Sequence, residues 1–112
     1  MRKTSELVEE MFTETADAWL VAIVIGFPDE TKFVFSNQAD SLQELNRFVK
    51  NGGFPIGLLR FEKQNGIVQG SYRPFEEYAK EDWVRSYLEG LLENTGDIVA
   101  MSQKPRTIPV AT

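Results

Sequence analysis

The chain has 112 residues, of which 42% are apolar, 26% charged and 12% aromatic, the profile of a single folded domain rather than a disordered or fibrous segment. It contains neither cysteine nor histidine, which excludes disulfides, thiolate metal sites, thiol nucleophiles and histidine-based catalysis, and points to a reducing, cytoplasmic setting. A net charge of −5 repels phosphate backbones, so no nucleic acid is expected as a partner.

Thr4 or Ser5 is placed to cap a first helix running to about Ala16, with Leu7, Val8, Met11, Phe12 and Ala16 on one face. Glu6, Glu9, Glu10 and Glu14 occupy the rest of that helix, where the apolar stretch of a signal peptide would otherwise follow Arg2 and Lys3; no export signal is read. The longest apolar run, Ala18 to Phe27, has ten residues and falls short of the roughly 20 that cross a bilayer as a helix. No membrane is expected. Its β-branched and aromatic content without polar alternation predicts a strand covered on both faces. Pro28-Asp29-Glu30-Thr31 is turn chemistry, and Lys32 to Ser36 reads as the returning strand.

Ser41 and Glu44 have the spacing of a capping box, opening a second helix that turns Leu42, Leu45, Phe48 and Val49 inward and stops at Asn51-Gly52-Gly53. The stretch from Gly52 to Gly57 is glycine-rich, yet it follows a helix and opens a strand, the reverse of a phosphate loop. Asn65-Gly66 between two strand-like runs is the preferred pair for a type I′ hairpin turn. It sets a register from Gln64 opposite Ile67 to Leu58 opposite Arg73, with Leu59, Phe61, Val68 and Tyr72 toward the core. Arg60, Glu62, Gln69, Ser71 and Arg73 form the polar face. A third helix is predicted from Phe75 to about Asn94, carrying Trp83, Val84, Tyr87, Leu88, Leu91 and Leu92 on its packing side, with a break allowed near Tyr78 to Glu81. Asp97 to Met101 can add a short edge strand, and Ser102 to Thr112 reads as an extended or flexible tail beyond a single domain of residues 1–101.

The order helix, strand, strand, helix, strand, strand, helix makes this an α+β chain, a two-layer sandwich on a four-stranded, mainly antiparallel sheet that the edge strand would extend to five. The doubly apolar first strand needs a second cover, which a helix, the tail or a second subunit of a homodimer could supply.

No segment carries a diagnostic catalytic, metal or cofactor motif, and no cofactor or metal is expected. The acid is concentrated in residues 4–17, which hold Glu6, Glu9, Glu10, Glu14 and Asp17 without a base, and in residues 76–97, which hold seven acids against Lys80 and Arg85. If the first and third helices lie side by side, their outer faces make one negative surface that steers a basic protein partner. Glu9, Glu10, Glu76, Glu77, Tyr78 and Glu81 are its candidate residues, the reading being a small non-catalytic protein-binding domain of inhibitor, immunity, anti-defence or adaptor type, by analogy of size and charge. The alternative is a module that holds an anionic metabolite between Arg60, Ser71 and Arg73 on the sheet. An enzyme using carboxylates or Tyr is the third reading, without a motif behind it.

Overall fold

A computed structural model describes residues 3–104. The elements are α1 (Thr4–Thr15), β1 (Leu20–Gly26), β2 (Thr31–Phe35), α2 (Ser41–Lys50), β3 (Phe54–Gln64), β4 (Ile67–Pro74), a single 3-10 turn (Glu76–Tyr78), α3 (Asp82–Leu92) and α4 (Thr95–Ser102). The four strands make one antiparallel sheet in the order β2-β1-β3-β4, and the protein is an α+β sandwich.

The sheet is built around its least polar strand. Every residue of β1 is buried, because β1 is hydrogen-bonded between β2 and β3 and packed on both sides. Val21, Ile23 and Ile25, with Val34 and Leu58, meet Leu7, Val8 and Met11 of α1 and Leu45 and Phe48 of α2. Leu20, Ala22 and Val24, with Phe35, Leu59 and Phe61, meet Val84 and Leu88 of α3 and Ile98 of α4. The second cover that β1 demands is therefore helical, and helices form a layer on each face of the sheet.

Asn65 and Gly66 take positive φ values of 54° and 79°, as a type I′ turn requires, and the β3–β4 register follows from Gln64 opposite Ile67 through Leu58 opposite Arg73. At the end of α2, Gly52 takes φ 91°; its N–H donates to Val49 O at 3.2 Å and the N–H of Gly53 to Phe48 O at 2.8 Å. These are the two bonds of a Schellman stop, which only a residue tolerant of the left-handed region completes.

Other local expectations change. The first residue before α1 is Lys3, with no side-chain cap, and the Thr4 hydroxyl instead donates to Asn46 Oδ1 of α2. Ser41 does not form the capping box: its hydroxyl proton is shared between Phe35 O and Gln38 O, both at 2.6 Å, which bracket the turn from β2 into α2. The inward stripes are also narrower than predicted, leaving Phe12 49% and Leu42 42% exposed, with Ala16 exposed beyond the end of α1. Each of these two side chains stands one residue past the row that packs, about 100° further round its helix.

The third helix does break, into the 3-10 turn and α3. Asp97 to Met101 is not an edge strand but the body of α4, where Ile98 and Ser102 are buried at helical spacing. The Thr95 hydroxyl donates to Leu92 O at 2.6 Å, and the amides of Asn37 and Gln38 donate to Ser102 O at 3.1 and 2.6 Å, satisfying carbonyls that helix ends leave open. A short apolar run fits strand and helix equally by pattern. The tail predicted over Ser102 to Thr112 lies, from residue 105 onward, outside the described residues.

Candidate partner-binding surface

The end of the sheet where β1 and β4 finish and β3 begins gathers most of the features with chemical interest. The β1–β2 turn closes there through a bond from Phe27 N–H to Glu30 O at 2.8 Å. Phe75 follows β4 into the α1–α2 core, its N–H donating to Ile56 O at 3.1 Å, and so aims the 3-10 turn across the end of the sheet. Two depressions lie side by side on this end. One is apolar, lined by Leu7, Val49, Phe54, Pro55, Phe75 and Tyr78, with Glu77 at its edge. The other runs between the β1–β2 turn and α3 and is lined by Asp29, Glu30, Thr31, Phe54, Trp83 and Tyr87 among others.

Trp83 and Tyr87 were expected on the packing side of the third helix. They are 52% and 41% exposed, because Val84 and Leu88, one residue on in each case, are the side chains that enter the core. Tyr78 is half-buried, its ring edge-to-face with Trp83 at 6.2 Å between centroids. Glu76, Glu77 and Glu81 are exposed around them, and Arg85 pairs with Asp82.

Glu9 and Glu10 belong elsewhere. Helices α1 and α3 cover opposite faces of the sheet, so the single acidic surface conditional on their lying side by side does not arise. Glu9 is exposed on α1. Glu10 accepts from Arg73 at 2.6 Å, and Glu14 lies 3.2 Å from Arg73 and 3.9 Å from Arg60. Arg60 also pairs with Glu62 at 3.2 Å and donates to Asp17 O at 2.8 Å. Arg60, Ser71 and Arg73 do line one cleft together with Glu14, but acids of α1 already face both guanidinium groups there.

This cluster ties α1 to the sheet beyond its apolar stripe. Arg73→Ala should cost about 1 kcal/mol, since it removes two partly exposed ion pairs and leaves Glu10 and Glu14 as like charges one turn apart. A thermal melt should fall by about 5 °C, and the difference should shrink in 1 M salt, where the screening length drops to about 3 Å. An unchanged melting temperature would mean that the pairs contribute nothing.

What the sequence reading missed at this end of the molecule is the pairing of Trp83 and Tyr87 with Asp29, Glu30 and Phe54. A signal existed in the doublets Trp83-Val84 and Tyr87-Leu88, since a helix with two adjacent apolar rows can bury only the centre of the stripe against a sheet. Among the described residues, no group of three or more acidic side chains is placed to hold a metal ion, and no helix is long and apolar enough to cross a membrane. Comparison with protein-family models, with curated proteins and with solved structures finds no match for this chain.

Proposed function

We propose that the chain is a small, acidic, non-catalytic protein-binding domain, of inhibitor or adaptor type, that docks a basic protein through this end of the molecule. Trp83 and Tyr87 are its anchors, Tyr78 supports them, and Glu76, Glu77 and Glu81 with Asp29 and Glu30 form the rim. The observation that carries the reading is the exposure of Trp83 and Tyr87, one turn apart on a helix whose buried row lies beside them. Leaving about half of a large aromatic side chain in water forgoes burial worth about 1 kcal/mol, and Trp and Tyr are among the side chains that most often dominate binding energy at interfaces. The acidic rim adds steering of a positively charged partner and selectivity against acidic ones. Glu9 can extend the negative field from α1, whereas Glu10 is committed to Arg73. A cytoplasmic setting belongs to the same proposal, on the absence of cysteine.

The test is native mass spectrometry of the protein captured gently from its own host, wild type beside the double variant Glu77→Lys/Glu81→Lys. The wild type should carry a partner chain, and the variant should hold it about tenfold more weakly, with a flatter salt dependence and an unchanged melting temperature. Equal retention of the partner with unchanged salt dependence would overturn the reading. A small-mass adduct lost on Arg73→Ala would overturn it in favour of the anion-binding alternative.

A further inference from the structure

We infer that the groove between the β1–β2 turn and α3 is the seat of an arginine side chain of the partner, an inference that deepens the protein-binding reading and rests on it. Its lining joins Trp83 and Tyr87 of α3 with Asp29 and Glu30 of the β1–β2 turn, Thr31 of β2 and Phe54 of β3. The cavity measures about 260 Å³, below the roughly 300–1,000 Å³ of pockets that enclose whole small molecules. It is the size for one side chain presented from outside.

The chemistry of the lining selects a cation. Aromatic faces attract a positive group through their quadrupole, Trp most strongly, and carboxylates at the rim of the same groove supply charge-assisted hydrogen bonds. Arginine fits better than lysine because its planar guanidinium can lie against a ring while its N–H groups reach in the plane toward carboxylates.

The groove is also fixed before any partner arrives. The hydroxyls of Tyr87 and Thr31 hydrogen-bond to each other, tying α3 to the turn. The Phe54 ring lies against Gly26, where a Cβ would come within 2.8 Å of it, so this aromatic of the lining is seated by a glycine. Lys32 is the nearby base: it pairs with Glu30 at 3.5 Å, and its ammonium stands 5.5 Å from the centroid of Phe48, a residue of α2 on the other side of the sheet. Both partners of that pair are well exposed, so an arriving guanidinium displaces an interaction of little worth.

The experiment titrates isotope-labelled protein with acetyl-Gly-Arg-Gly-amide and with the same peptide carrying citrulline, which keeps the shape and loses the charge. Arginine should shift the Trp83 indole resonance and the amides of Asp29 to Thr31, with citrulline about tenfold weaker. The Trp19 indole, at the opposite end of β1 beside Lys63 at 5.0 Å, should not move. Trp83→Ala and, independently, Asp29→Asn/Glu30→Gln should each weaken the arginine peptide about fivefold. Equal binding of citrulline, equal shifts at Trp19, or no shift for either peptide would overturn the assignment. If a captured partner still depends on Glu77 and Glu81 while the arginine peptide has no effect, the docking reading stands and the arginine seat falls. Peptide binding at Trp83 together with a partner indifferent to Glu77 and Glu81 supports the seat and overturns the docking reading built on the acidic rim.

Discussion

Leu88→Ala should lower the unfolding free energy by about 3 kcal/mol, whereas Trp83→Ala should cost only about 1 kcal/mol, although Trp is the larger side chain. Leu88 is 0% exposed and packs among Leu59, Phe61 and Val84. Its Cδ1 lies 2.7 Å from the place where a Cβ on Gly57 would stand, so it fills space that the sheet leaves open at a glycine. Truncation leaves a cavity bounded by hydrogen-bonded strands, which cannot collapse to close it. Trp83 loses mainly its edge-to-face contact with Tyr78 at 6.2 Å, a pairing worth about 0.5–1.5 kcal/mol. Urea denaturation followed by circular dichroism measures both, the shift being read in the midpoint at constant slope. If Trp83→Ala were the costlier change, the tryptophan would be a core residue, and the docking surface would lose its main anchor.

That contrast marks the boundary of what the sequence makes legible. The β3–β4 register is readable because Asn65-Gly66 imposes a local geometry that nothing distant alters. The central place of β1 is readable from its unbroken apolar run, and the stop after α2 from its glycine pair. Which row of a helix enters the core is a different kind of question. Trp83-Val84 and Tyr87-Leu88 offer two rows about 100° apart, and the choice is made by the sheet, where Gly57 leaves room for Leu88. The same distance from local rules applies to the charges. The hairpin register puts Arg60 and Arg73 on the polar face of the sheet, but which acids meet them is decided only when α1 is laid across it and brings Glu10 and Glu14 to them. The candidate site was accordingly half legible: Glu76, Glu77, Tyr78 and Glu81 are close neighbours in the chain, while Asp29, Glu30 and Phe54 join them only through the fold.

Gly57→Ala should cost about 3 kcal/mol, as much as emptying the core at Leu88, and for the opposite reason. Gly57 stands opposite Pro74 in β4 and opposite Val24 in β1, next to the register shift between Val24 and Ile25. A Cβ there would lie 2.7 Å from Leu88 Cδ1, 2.8 Å from Arg73 O and 3.1 Å from Pro74 Cα. The leucine can change rotamer, but the other two atoms belong to the backbone of a paired strand, so relief requires β4 to move away from β3. Gly90 gives the control. It is exposed on α3 with nothing within 4 Å of its added Cβ, and Gly90→Ala should be neutral or stabilise by up to about 1 kcal/mol through helix propensity. The double variant Gly57→Ala/Leu88→Ala separates the two sources of the clash. Removing the leucine relieves one of them, so the combined loss should fall short of the sum of the single losses by about 1 kcal/mol, the mark of residues in contact. Strict additivity would mean that the strand backbone alone rejects the methyl group. Full rescue would mean that Leu88 was the whole obstacle and that β4 has room to give.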